Sequence, residues 1–189
     1  HTLSLHDALP IYCIFCYDNM IISTTKVNAN RGIIMNEKFF DLKKEKQDRM
    51  INGAMKVFAL NGYKRASTDE MVKEAGISKG LWFHYFDSKL GLYSFITEYA
   101  IRYMNMELQA MTNREPQDYF ATRLQVEKTK LMVRKSYPYI PLFLASLEKE
   151  RDEDALLAVM DAVENYRNVM KKIYGDVDES KFRASVKRT

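Results

Sequence analysis

From residue 43 onward the apolar positions recur at helical spacing. Ile51, Ala54, Met55 and Phe58 stand at i, i+3, i+4 and i+7 and so share one helical face. Lys44, Lys46, Asp48 and Lys56 fall largely on the wet side. The pattern predicts a stop at Asn61-Gly62-Tyr63, where Gly62 can take a left-handed turn and Tyr63 can fold back on the preceding turn. Gly53, inside the run, costs up to about 1 kcal/mol against alanine, a cost that close helix packing would justify. Ser67-Thr68-Asp69-Glu70 reads as a capping box, with Ser67 accepting the N–H three residues on and Glu70 reaching back. The helix it opens is short, turns Met71, Val72 and Ala75 inward, and ends at Gly76. Ile77 plugs the angle that follows, and Ser78 caps a third helix over residues 79 to about 86. Trp82 and Phe86, four apart, give that helix a stripe to bury. Asp87-Ser88 caps a fourth, carrying Leu92, Phe95, Ile96, Tyr99 and Tyr103 to about residue 111.

Helical spacing continues beyond that point. Pro116 suits a first-turn position, and a helix is expected to about residue 135 through Phe120, Leu124, Leu131 and Met132. Tyr137-Pro138-Tyr139-Ile140-Pro141 breaks it, and a short apolar helix follows over 142–147. Another runs from near Glu153 to Tyr174-Gly175, with Leu156, Leu157, Met160, Val163 and Val169 in register. The acidic cluster at 150–154 reads as a helix-start cap, not a metal site. The chain is therefore expected to be all-α. Two short helices joined by a three-residue turn with glycine make a helix-turn-helix. A plain helical hairpin satisfies the same apolar pattern, so spacing alone leaves DNA binding open.

Composition narrows the choices. Hydrophobic residues make up 47% and charged residues 29%, an ordinary globular balance. The formal net charge of +4 permits a polyanionic partner without showing one. Both cysteines, Cys13 and Cys16, lie in the first stretch, so no disulfide framework is expected and a reducing, cytoplasmic setting fits. No apolar run approaches the roughly 18 residues needed to cross a bilayer. Residues 1–34 are expected to be a non-native or disordered leader. They begin with His1, include a string (Leu5-His6-Asp7-Ala8-Leu9-Pro10-Ile11) resembling translated adaptor sequence, and lack periodicity before Met35, a credible start. Cys13 and Cys16 supply half of a zinc site with only His1 and His6 nearby, and no strand and helix frame them as a redox motif. No metal or cofactor is expected. After Met35 there is one histidine and no cysteine, and the glycines form neither G-x-G-x-x-G nor a P-loop, so an enzyme is not expected. A helical interaction module that ignores DNA stays open.

The stretch from Ala54 to Leu92 carries Ala59-x-x-Gly62-Tyr63, then Ser67-Thr68, then Glu74-Ala75-Gly76-Ile77-Ser78-Lys79-Gly80, and ends in Phe83-His84-Tyr85-Phe86-Asp87-Ser88-Lys89. These elements, in order and without a gap, resemble the DNA-binding region of TetR/AcrR transcriptional regulators. The resemblance implies a three-helix helix-turn-helix domain over 35–90, with Val72, Ala75, Gly76, Ile77, Trp82 and Phe86 as its core. It implies a helical effector-binding and dimerisation bundle over 91–189. That bundle is expected to be truncated, since the chain is short for the family and its basic 181–189 segment breaks off without an apolar helix. Base readout then falls to Lys79, Gly80 and Leu81, and phosphate contact to Thr68, Ser78, His84, Tyr85 and Lys89. Tyr99, Tyr103, Met104, Met132, Tyr137, Phe143 and Tyr166 become candidates for an effector pocket, although aromatic and Met residues at this spacing are more often plain core. The implied partners are double-stranded operator DNA, a small-molecule effector and a second copy of the chain, and the implied function is a repressor released by its effector. Phe83 departs from the tyrosine of many relatives and removes a hydroxyl from the reading helix, while Trp82 stands where leucine is commoner, at a packing position.

Overall fold

A 3-10 turn, Glu37–Phe39, leads into α1 (Lys44–Arg65), α2 (Thr68–Ala75), α3 (Lys79–Tyr85), α4 (Lys89–Thr112), α5 (Tyr119–Ser136), α6 (Ile140–Leu147) and α7 (Glu153–Gly175). This computed structural model describes residues 37–112 and 118–175, and no strand element occurs among them. The expected leader with Cys13 and Cys16, Pro116 and the 181–189 segment lie outside the described residues.

Helix α1 buries Met50, Ile51, Ala54, Met55, Val57 and Phe58, which includes the whole stripe read from the sequence. Gly53 faces α2, where an added Cβ would lie 3.1 Å from the Ala75 backbone nitrogen and 3.3 Å from the Met71 carbonyl oxygen. Backbone lies against backbone there, so the glycine is a contact residue. At Gly62 (φ 71°, ψ 173°) the helix breaks as its left-handed backbone requires, but one further turn follows to Arg65. The expected stop is thus a kink.

Caps account for the next boundaries. Ser67 sits at the α2 N-cap without a side-chain hydrogen bond. Glu70 does not reach back to it; its carboxylate lies 3.5 Å from the Asn61 amide on α1, so the expected capping box is not formed. Gly76 ends α2 in the left-handed region (φ 62°, ψ 43°). Ser78 Oγ accepts the Leu81 N–H at 3.3 Å, and Ser88 Oγ accepts the Gly91 N–H at 3.0 Å. Asp118 Oδ1 accepts the Ala121 N–H at 2.9 Å, so α5 starts at Tyr119, three residues beyond the expected proline. Pro141 is absorbed into the first turn of α6, where its missing N–H has no helical acceptor to lose, and Asp152 Oδ1 caps α7 through Ala155 N–H at 3.1 Å.

The buried cluster is continuous from Phe39 to Ile173 and crosses residue 90 without interruption. Helix α1 packs against α2, α6 and α4, while α4 packs against α7, α5 and α6. These two long helices join the small-helix head to the body. Phe39 seals the head from below, with its ring 5.8 Å from Tyr85, 5.3 Å from Phe86 and 5.6 Å from Phe95.

Candidate nucleic-acid interface

The turn at Gly76 presents α3 with two unlike faces. Trp82 and Phe86, 1% and 2% exposed, pack with tilted rings 5.4 Å apart and close the inner side with buried Ala75. Val72 and Ile77 are half-buried against the same core. Lys79, Gly80, Phe83 and His84 are exposed. A Cβ on Gly80 would meet no atom within 4 Å, so nothing in the fold requires a glycine there. Leu81 is half-buried, one side on the core and the other at the surface.

The expected base readers therefore lie on or beside the outer face of α3, with Lys79 already partnered. Its ammonium is 2.6 Å from Asp69 Oδ1 on α2, both side chains being largely in solvent. Sequence reading missed Asp69 as part of this surface, because the pair forms only once the turn folds α2 and α3 together. It also treated Phe83 only as a lost hydroxyl. That ring is 45% exposed on the same face, an apolar surface among polar neighbours.

The expected phosphate-contact residues divide. Ser78 and His84 are exposed, with the imidazole packed edge-on to Tyr85 at 5.0 Å, and Thr68 is half-buried in the first turn of α2. Tyr85 is only 8% exposed and lies in the head core rather than on its surface. The Lys89 ammonium donates to the carbonyls of Lys64 at 3.3 Å and Ala66 at 3.4 Å, and lies 4.6 Å from the centroid of the Tyr63 ring. A cation at a helix start opposes the helix dipole; here the carbonyls that end α1 offset it.

On the body side, three of the seven expected pocket residues converge. The Tyr137 ring is 5.4 Å from Tyr99 and 4.8 Å from Tyr103. Tyr137 donates its hydroxyl proton to Asp48 Oδ1 at 2.7 Å, accepts from Lys44 Nζ at 3.2 Å, and shares a short hydrogen bond with the Tyr99 hydroxyl. Burial, with the neighbouring Tyr99 and Asp48, pushes the Tyr137 hydroxyl far above the usual phenol range. The cluster ties α1 to α4 and to the α5–α6 break. Phe143 instead packs with Phe58 at 6.3 Å and Tyr93 at 5.9 Å, Met104 is fully buried and Met132 is exposed. Tyr166 on α7 is half-buried, its hydroxyl raised to about 12 by burial and by Glu148. An open cavity of about 450 Å³ is lined by Tyr119, Arg123, Met170, Lys171 and Tyr174, none of them among the seven. Among the described residues no group of His, Cys, Asp and Glu could hold a metal, and no helix is long and apolar enough to cross a membrane.

Residues 50–94 match the family described as bacterial regulatory proteins, tetR family. Over 71 residues the chain is 35% identical to the HTH-type transcriptional regulator YerO of Bacillus subtilis (strain 168), covering 38% of this chain and 24% of that protein. Over 49 residues it is 47% identical to the HTH-type transcriptional regulator YuxN of the same organism, covering 26% and 17%. The chain thus spans a quarter or less of the length of these curated relatives. Two solved structures are similar in outline. A tetR family transcription regulator from Shewanella sp. PV-4 aligns with a TM-score of 0.49 and 19% identity, over 69% of this chain and 68% of that one. One from Chloroflexus aurantiacus J-10-FL aligns with a TM-score of 0.46 and 21% identity, over 76% and 68%.

Proposed function

This chain is a member of the TetR family through the helix-turn-helix of residues 50–94, and from that premise we propose that it binds operator DNA and regulates transcription as a repressor. The carrying observation is the division of α3. Its inward side is occupied by Trp82 and Phe86, while Lys79, Gly80, Phe83 and His84 are exposed on the outward side, a face that suits a major groove about 12 Å wide. Lys79 would leave Asp69 for guanine acceptors, the exposed side of Leu81 would meet a thymine methyl, and Gly80 would let the two backbones approach. Thr68, Ser78, His84, Tyr85 and Lys89 would grip phosphates, Tyr85 and Lys89 only after giving up part of their internal packing.

Two copies would set their α3 helices in successive major grooves, about 34–36 Å apart. Exposed Leu157 and Met160 on α7, and Phe120, Leu124 and Leu131 on α5, supply apolar surface for such a homodimer. A small-molecule effector bound in the body would release the DNA by favouring a different head position, which requires unequal affinity for the two states. The Tyr99–Tyr103–Tyr137 cluster supports this reading because it joins body to α1. Regulation by binding, in the cytoplasm, is the reading rather than catalysis.

A gel-shift series over rising salt tests the proposal. Lys79→Ala should weaken binding and blur base preference, whereas His84→Ala should weaken all duplexes alike. A wild-type chain that ignores mixed duplex at low salt would end the reading and favour a helical interaction module.

A further inference from the structure

We propose that Glu150 is the positioning residue through which the body holds the DNA-reading head, by latching the turn between α6 and α7 onto the kink in α1. The inference rests on the DNA-binding reading for what the head does. One carboxylate oxygen accepts the Tyr63 N–H at 2.8 Å, across 87 residues of chain. The other accepts the N–H groups of Arg151 at 2.9 Å and Asp152 at 3.0 Å in its own turn. The side chain is thus fixed in the body at one end and grips the head's approach segment with the other.

The grip falls at a decisive place. Gly62, with φ 71°, turns the chain out of the helix, and Tyr63 presents its N–H to a partner outside α1. Residues 62–66 then lead directly into Ser67, the N-cap of α2. On the other side of this segment Lys89 holds the carbonyls of Lys64 and Ala66. An anion from the body and a cation from α4 therefore clamp one short piece of backbone, and whatever moves Glu150 moves the start of the helix-turn-helix. Charge-assisted N–H bonds of this kind are about twice as strong as neutral ones. Beneath the latch, Phe58, Tyr93 and Phe143 form an apolar joint, with rings 4.9, 6.3 and 5.9 Å apart. That joint carries no charge and should keep the chain folded when the latch is lost. The charged and titratable groups facing Glu150 are Tyr63 from α1, Tyr93 from α4, and Arg151 and Asp152 from its own turn, while Lys89 from α4 and Asp154 from α7 act on Tyr63.

The test is hydrogen exchange of the full chain, wild type against Glu150→Gln and Glu150→Ala. Gln keeps the shape but turns one acceptor into a donor, so it cannot serve both sides. Amides in 62–66 should exchange roughly tenfold faster or more in both variants, while those of α3 stay at the wild-type rate. On lowering the pH through the carboxylate range, corrected exchange at 62–66 should accelerate in the wild type and stay flat in Glu150→Gln. Against a duplex selected from a random pool by the wild type, both variants should bind several-fold more weakly, with affinity for mixed-sequence duplex kept within about twofold. Unchanged exchange at 62–66 overturns the latch. Faster exchange with an unchanged ratio of selected to mixed affinity overturns its positioning role. A wild type that binds no duplex defeats the DNA reading instead, and the exchange result still decides the latch.

Discussion

The Lys89 ammonium lies 4.6 Å from the centroid of the Tyr63 ring, so the first residue of α4 closes the last turn of α1. Its two hydrogen bonds to the Lys64 and Ala66 carbonyls complete that closure. Partly exposed hydrogen bonds and a partly exposed cation–π contact are each modest, so Lys89→Ala should cost about 1–2 kcal/mol. Trp82, the single tryptophan, is buried in the head and makes urea unfolding by fluorescence a direct readout. A wild-type midpoint would show that these contacts do not stabilise the head. The same variant should weaken DNA binding for all sequences alike, since it both loosens the head and removes a cation.

Asp69 stands 2.6 Å from the lysine expected to read bases. Both side chains are well exposed, so the pair contributes about 0–1 kcal/mol to stability and Asp69→Asn should fold like the wild type. Its effect should appear on DNA. Removing a negative charge beside the reading face should tighten binding to mixed-sequence duplex several-fold at low salt, and the gain should shrink as salt shortens the Debye length to about 8 Å. Fluorescence anisotropy over a salt series measures this. Equal affinities at low salt would mean that Asp69 does not compete with phosphate for Lys79.

Most of the head was legible because its determinants are local. The turn at Gly76, the Ser78 cap and the Trp82–Phe86 stripe all act within a few residues, and each is where the spacing places it. The capping box failed for a tertiary reason: Asn61, on the neighbouring helix, lies beside the Glu70 carboxylate. The kink at Gly62 was read as an end because the partner that lets the chain continue, Glu150, is 87 residues away. The pocket candidates show the limit of periodicity most clearly. Helical spacing says which residues share a face but not which faces meet, so it could not join Asp48 to Tyr137 or turn Met132 outward.

Glu150 also predicts an acid dependence. Burial raises its carboxyl, but the N–H groups of Tyr63, Asp152 and Arg151 outweigh that and hold it below the usual carboxylate value. A folded-state pKa below the unfolded one gives stability that is complete above the unfolded value, about 4.3 for glutamate, and lost as pH falls through the folded value. The gap in unfolding midpoint between wild type and Glu150→Gln should therefore be constant near neutrality and narrow steadily as pH falls below the unfolded glutamate value. A gap that does not narrow below that value would assign the loss to something other than the carboxylate's charge.

Tyr137 carries the opposite dependence. Its hydroxyl is raised by burial and by Tyr99 and Asp48, so its stabilisation is full below the unfolded phenol value, about 10, and is lost as pH rises above it. Tyr137→Phe keeps the edge-to-face ring contacts with Tyr99 and Tyr103 but takes a partner from both Asp48 and Tyr99. The expected cost at neutral pH is about 1–3 kcal/mol, shrinking in alkali, as read by urea denaturation at pH 7 and above pH 10. An unchanged midpoint at pH 7 would remove the polar tie between α1 and the body.

Two glycines separate packing from recognition. Gly53→Ala gains up to about 1 kcal/mol of helix propensity, yet its Cβ would lie 3.1 Å from the Ala75 nitrogen and 3.3 Å from the Met71 oxygen. Both are backbone atoms and cannot rotate aside, so α2 must shift, and overpacking of this kind costs about 1–3 kcal/mol. The net change should be destabilising. Gly80→Ala has the same propensity gain and no atom within 4 Å of the new Cβ, so the fold should be unchanged or stabilised by up to about 1 kcal/mol. If α3 enters a groove, that methyl group meets DNA, and affinity should fall although stability does not. Urea midpoints and duplex affinity measured on both variants therefore move in different directions. A Gly80→Ala chain that binds duplex as tightly as the wild type would place the DNA contact away from this face of α3.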